Sequence, residues 1–144
     1  MVVPKFRAWD RTRNEWSNSF FIYSEGGLYT PNYGFDRKHL KKRTDVYPIV
    51  KQERFILMQS TGLFSTFSED ELFEDDVIFW TYFDEFEDMG KARIVYRDGC
   101  WKLLDIKTGK EAWDSLFDCL ENCTVFLSGN IYENPELVEE ATND

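Results

Sequence analysis

The chain has 144 residues, which bounds it to one domain or one domain with a modest appendage, long enough to bury a core of its own. No stretch approaches the roughly 18 consecutive apolar residues of a membrane-spanning helix. The opening Met1-Val2-Val3-Pro4-Lys5 lacks the charged region and apolar run of a signal peptide, so residence in the cytoplasm is expected. The net charge of −10 sits in one place: ten of the 27 acids fall between Glu69 and Asp88, a span without Lys or Arg, and the other 17 equal the chain's 17 bases.

The 13 Phe, 7 Tyr and 5 Trp stand largely beside β-branched residues, a mixture that favours strands. Lys5-Phe6-Arg7-Ala8-Trp9 alternates as a first strand. The polar turn at Asp10–Asn14 returns it as a hairpin toward Trp16. Phe20–Tyr23 is a second apolar run, closed by Gly26-Gly27. From Thr30 to Lys42 there is no period, and Pro31, Gly34 and the basic run Arg37-Lys38-His39-Leu40-Lys41-Lys42-Arg43 predict a long loop. Val46–Val50 reads as a strand that Pro48 confines to an edge or a bulge.

Phe55–Met58 is a short buried run expected to end in a turn at Thr61-Gly62. Residues 72–83 begin as a turn and continue as a strong strand, with an acidic loop after it. Lys91–Tyr96 is a strand, Asp98-Gly99 a hairpin turn, and Cys100–Leu104 the return. Trp113, Leu116, Phe117 and Leu120 fall on one stripe and predict an amphipathic helix over about 111–121. Thr124–Leu127 is a strand stopped by Gly129-Asn130. Asn134 is placed as an N-cap and Pro135 at the first position of a short final helix, whose dipole Glu136 complements.

Four of these stretches carry a resemblance. Lys5-Phe6-Arg7-Ala8-Trp9-Asp10, Met58-Gln59-Ser60-Thr61-Gly62-Leu63, Glu74-Asp75-Asp76-Val77-Ile78 and Gly129-Asn130-Ile131-Tyr132-Glu133-Asn134-Pro135-Glu136-Leu137 occur in the order found in the YopX family of bacteriophage and prophage proteins, which the chain resembles over nearly its whole length. The resemblance marks Gly62, Asp76, Gly129, Asn130, Tyr132, Asn134 and Pro135 as fold-motif positions. Ser60 stands where the family usually has an aromatic residue and Asp75 where it usually has Gly. Asp accepts left-handed geometry at modest cost. The resemblance implies a mainly β (α+β) fold with a C-terminal SH3-type β-barrel, one inserted amphipathic helix and a short C-terminal helix. A division into a β segment with the basic loop (1–50) and a barrel domain carrying the motifs (51–144), or one integrated domain, is expected. The family implies no catalytic residues.

The residues themselves suggest no chemistry. There is no phosphate-binding Gly loop, no Gly-x-Ser-x-Gly and no His-Glu-x-x-His. His39, the single histidine, lies in the basic run without a partner in view. The carboxylates at 69–76 lack the spacing and central Gly of a calcium loop. Cys119 and Cys123 are neighbours on a helix face rather than a zinc pair, and with Cys100 they read as free thiols. No cofactor and no metal are expected.

The expected function is therefore binding without catalysis, as a homo-oligomer or with a host or phage protein, and without a membrane. The candidate interaction residues are Arg37, Lys38, Lys41, Lys42 and Arg43 on one side and Asp84, Glu85, Glu87 and Asp88 on the other. Opposed charges can steer self-association. Alternatively the acidic segment imitates nucleic-acid phosphate and captures a host DNA-binding protein. Direct nucleic-acid binding by the whole chain is disfavoured because its field repels phosphate, which leaves only a weak binding mode through 37–43.

Overall fold

The structure, a computed structural model, describes residues 4–17, 19–31, 49–82 and 85–138, with the backbone alone for 82 and 85–88. The candidate residues Arg37, Lys38, Lys41, Lys42, Arg43 and Asp84, together with His39 and Pro48, lie outside these residues. The chain is mainly β and divides into two units: Arg7–Leu57, and the described residues of Met1–Phe6 and Met58–Asp144.

In the Arg7–Leu57 unit, β1 (Phe6–Asp10) pairs antiparallel with β2 (Glu15–Trp16) in the register Trp9↔Trp16. Buried Trp9 meets Trp16 edge-on, with centroids 5.0 Å apart, and the Arg7 guanidinium lies over the Trp16 ring at 4.6 Å. Asp10 makes the turn. Its Oδ1 accepts from the Thr12 N–H at 2.9 Å, the Arg13 N–H at 3.2 Å and Arg54 Nε at 3.2 Å, and Asn14 takes a φ of 54°. A separate sheet in this unit runs β3 (Phe21–Ile22), β4 (Leu28–Pro31), β5 (Ile49–Lys51), with Gly26 at φ 90° in the β3–β4 turn. The sequence predicts loop from Thr30. The chain instead stays extended through Pro31, because Thr30 and Pro31 find partners in Val50 and Ile49, almost twenty residues further on.

The other unit begins in β6 (Phe55–Phe64) and continues with β7 (Glu71–Phe73), β8 (Asp76–Tyr82), β9 (Glu85–Arg97), β10 (Cys100–Asp105), β11 (Glu111–Ala112), α1 (Leu116–Asn122) and β12 (Thr124–Asn130). Gly62 is not a turn but a bulge inside β6, where the register to β7 shifts between Ser60 and Phe64. Gly62 takes φ 76°, and neighbouring hydroxyls satisfy the displaced backbone. Ser60 Oγ accepts from the Gly62 N–H at 3.1 Å, and Thr61 Oγ1 accepts from Leu63 and donates to the Leu72 carbonyl at 2.7 Å. Asp98 and Gly99 both have positive φ, 53° and 79°, which suits the tight β9–β10 hairpin.

A curled five-stranded antiparallel sheet, ordered β11-β10-β9-β8-β12, forms the centre of this unit. One face carries Ile78, Trp80, Ala92, Ile94, Leu103 and Val125, packed with Leu72 and with Leu116 and Cys119 of α1. Full burial of each Leu or Ile there is worth about 1.5–3 kcal/mol. The helix starts later than its stripe predicts. Glu111 and Ala112 pair with Leu104 and Leu103, Trp113 is left-handed at φ 62°, and Ser115 caps the helix by accepting from the Asp118 N–H at 3.1 Å. That phase buries Leu116 and Cys119 and leaves Phe117, expected on the inner stripe, 57% exposed.

The segment after Tyr82 is also a correction. The acidic residues Glu85, Glu87 and Asp88 lie on β9, paired back to β8 through Tyr82↔Glu85, and not in a loop. The register that runs from Val77↔Arg93 to Trp80↔Gly90 shifts before Tyr82↔Glu85, an irregularity that leaves backbone pairing on both sides of the acidic residues.

Candidate functional site

Apart from Gly62, which sits in the β6 bulge, the fold-motif residues converge on one turn. Between β7 and β8, Asp75 adopts φ 70°, the left-handed geometry that the sequence allowed it. Its Oδ1 takes Arg93 Nε at 3.0 Å and Nη2 at 3.0 Å, and its Oδ2 accepts from the Tyr132 hydroxyl at 3.1 Å. Both guanidinium nitrogens meet the same oxygen of the largely buried Asp75 carboxylate, and this charge-assisted contact offsets part of the conformational cost. Beside it Asp76, 1% exposed, accepts from the Phe73 N–H at 2.7 Å and lies opposite Asn130 in the β8–β12 ladder.

Asn130 is as well satisfied. Its Oδ1 accepts from the Tyr132 and Glu133 N–H groups at 3.0 and 2.8 Å, and its Nδ2 donates to Glu133 Oε1 at 2.9 Å. Asn134 turns its side chain back to accept from the Asn130 N–H at 3.3 Å, rather than forward as the N-cap the sequence predicts. Its backbone carbonyl accepts from Leu137, and 136–138 turn helically after Pro135. Gly129 does not end β12. It sits in a bulge at φ 148°, with the Asn134 carboxamide where a Cβ would be. Burial, then the charge and hydrogen bond of Asp75, push the Tyr132 phenol up to about 12. The carboxylates of Asp75 and Asp76, the Asn130 carboxamide and the Tyr132 hydroxyl are all used in holding the turn, which gives the cluster a structural chemistry.

Of the acids at 69–76, Asp70, Glu71 and Glu74 are likewise occupied. Glu71 pairs with Lys5 at 3.2 Å, and Asp70 accepts from the Ser68 hydroxyl. Among the described residues no group of three or more His, Cys, Asp or Glu side chains is arranged to hold a metal ion, and no helix is long and apolar enough to cross a membrane. Cys119 and Cys123 are buried, and burial raises both thiols above the ordinary value.

Two concavities stand out among the described residues. A small one of about 190 Å³ lies beside the bulge, lined by Lys5, Ser60, Gly62 and Trp101 among others. The larger, about 470 Å³, opens on the sheet face opposite the core. Phe79 lines it, and its ring stacks on that of its cross-strand neighbour Phe126 at 4.5 Å and 6°, with Phe67 extending the row at 4.5 Å from Phe126. Phe79 also pairs with Lys91, so Phe126, Phe79 and Lys91 form one row across three strands. Met89, Gly90, Asp105, Lys107 and Ser128 complete the walls, so two lysines and one acid edge the concavity. Phe67 and Met89 are 68% and 60% exposed. Sequence reasoning missed this surface, because alternation places Phe79 opposite Ile78 and Trp80 without saying which face another element covers.

Comparison with known proteins places the chain. The family model described as YopX protein matches residues 5–139. Two crystal structures are similar to it. Protein EF1440 from Enterococcus faecalis is 23% identical with a TM-score of 0.54, covering 96% of this chain and 99% of that one. Protein yopX from Bacillus subtilis is 18% identical with a TM-score of 0.53, covering 92% and 95%. At these identities the likeness shows the fold alone. No curated protein matches. The motifs that meet at Asp75, the matched span and the shared fold agree: the chain belongs to the YopX protein family.

Proposed function

We propose that this protein is a non-enzymatic accessory protein of phage or prophage origin that works by binding protein, in the first place other copies of itself. The observation that carries this reading is the open aromatic row Phe67–Phe126–Phe79 with Met89 beside it. A contiguous exposed apolar surface on a small domain marks an interaction site, and aromatic residues and Met are enriched in such interfaces. The curled sheet with α1 inserted before its last strand is read as an SH3-type scaffold that presents this row. The net charge of −10 favours a protein over nucleic acid as the partner.

Light scattering at low and high salt tests this. A mass above the 17.2 kDa of one chain is expected at low and at high salt alike, because contact through apolar rings is not screened. A monomer at every salt concentration would overturn the self-association reading.

A second reading, the acidic decoy, has one observation in its favour: the backbone of Glu85, Glu87 and Asp88 belongs to a single strand, β9. Pull-down from host lysate should then retrieve a nucleic-acid-binding protein, and charge reversal at Asp84, Glu85, Glu87 and Asp88 should release it. Unchanged capture by that variant ends the reading.

A further inference from the structure

The chain total of −10 hides an uneven division between the two units. The Arg7–Leu57 unit holds ten Lys and Arg against six Asp and Glu, a net +4, and the remainder of the chain seven against 21, a net −14. At physiological salt a charge is screened over about 8 Å, so the field over a surface follows the charges around it more than the sum for the chain. The repulsion of phosphate that the chain total implies does not by itself extend to this unit.

Five of the eleven exposed large apolar residues among those described lie in the β3–β4–β5 sheet and its first turn. The register sorts them by face. Phe21 stands opposite Tyr29 and Tyr29 opposite Lys51, so these three share a face with Tyr23, two residues beyond Phe21. Leu28 and Thr30 of the other face are buried, whereas Phe21 and Tyr23 are 44% and 45% exposed. The open rings are held in place. Tyr23 stacks on Tyr29 with centroids 4.3 Å and planes 22° apart, and the Tyr29 hydroxyl donates to Glu25 Oε2 at 3.0 Å. A Cβ on Gly27 would stand 3.0 Å from Tyr29 Cε1, so glycine there leaves the ring its place. Glu25, the acid beside the rings, also accepts from the Gly27 N–H at 3.3 Å.

We infer that the sheet face of Phe21, Tyr23 and Tyr29, with Lys51 at its side, is a stacking platform for single-stranded nucleic acid. Every base has a π-face that an aromatic side chain can meet, and rings already fixed lose little freedom when a base stacks on them. A duplex keeps those faces stacked on one another, so the platform selects an unpaired strand. Aromatic surfaces also serve protein partners. The +4 of the unit favours the partner that carries a phosphate backbone. This goes beyond the protein-binding reading and uses a surface of the other unit.

Fluorescence anisotropy of a labelled oligothymidylate with the full-length protein at low salt decides it. The strand should bind, and the same strand paired with oligoadenylate should bind more weakly. Phe21→Ala/Tyr23→Ala should raise Kd for the strand at least roughly tenfold. Phe21→Tyr/Tyr23→Phe, which keeps both rings, should bind as the wild type does. Lys51→Glu should weaken binding and flatten its dependence on salt, and at an exposed position it keeps the test open if the alanine variant melts below the wild type. A strand that does not bind at low salt overturns the inference. Equal affinity for strand and duplex overturns it, as does an alanine variant that binds like the wild type, since charge alone then accounts for the contact. Self-association lost in the alanine variant, with no binding of the strand by the wild type, assigns the face to a protein partner and overturns it too.

Discussion

The Tyr132 hydroxyl donates to Asp75 Oδ2 at 3.1 Å, joining two segments 57 residues apart. Asp75 also holds Arg93 of β9, and the Asp75 carbonyl accepts from the Ile131 N–H at 3.4 Å. The end of the chain is thereby fastened to the turn that starts the central strand. Two stretches recognisable in the sequence as separate motifs are one hydrogen-bonded closure in the fold.

Removing the phenol oxygen should weaken that closure. Tyr132→Phe is expected to cost about 1–2 kcal/mol in urea denaturation, since the acceptor is charged and loses a donor. The pH dependence has a definite sign. The folded phenol titrates near 12 and the unfolded one near 10.0, so its contribution is complete below pH 10.0 and declines as pH rises toward 12. Tyr132→Phe should show a shallower loss of stability across that window. An equally steep loss in both proteins would place the alkaline transition elsewhere.

Gly129 and Asn134 should be energetically coupled. A Cβ on Gly129 would stand 2.3 Å from Asn134 Oδ1, and the φ of 148° is strained for any other residue. Gly129→Ala should cost about 2–3 kcal/mol. Asn134→Ala should cost about 1 kcal/mol for the bond lost to the Asn130 N–H. In the double variant the clash is relieved, so a double-mutant cycle should give less than the sum of the two. Strict additivity would mean that the side chains do not meet.

Thiol chemistry should separate the cysteines. Cys119 and Cys123 are buried and their thiols raised by that burial, while Cys100 is half-buried at the start of β10. In native protein a thiol-reactive dye should label Cys100 well before the other two, and all three should react together in denaturant. Fast labelling of all three in the native state would contradict the packing of α1.

Gly90 lies under the indole of Trp80, and a Cβ there would come within 2.1 Å of the ring. Gly90→Ala must displace a large buried side chain that also packs edge-on against Trp113. A loss of about 1–3 kcal/mol is expected, with a change in near-ultraviolet circular dichroism from the moved indole. Unchanged stability and spectrum would show that Trp80 is not seated on Gly90.

What was legible in the sequence follows a physical rule. Features fixed by adjacent residues could be read directly: the Trp9–Trp16 hairpin, the Asp98-Gly99 turn and the left-handed Asp75. Features decided at a distance could not. Thr30 and Pro31 are extended because Val50 and Ile49 lie beside them. Gly62 bulges rather than turns because Thr61 reaches the Leu72 carbonyl. The helix waits for Ser115 because β10 holds Ala112 in a ladder. The acidic stretch looked like solvated loop because charge composition is local, whereas the ladder with β8 that makes it strand is not. The groove over Phe79 was invisible for the same reason, since a row of side chains becomes a surface only when nothing else covers it.

Sedimentation velocity of Asn134→Ala beside the wild type, at low salt over a range of concentrations, tests most directly whether the closing motif is structural and the binding surface lies elsewhere. The variant should melt a few degrees lower, about 2–4 °C for each kcal/mol lost, and still associate beyond the 17.2 kDa of one chain as the wild type does. Wild-type melting together with lost association would contradict the account.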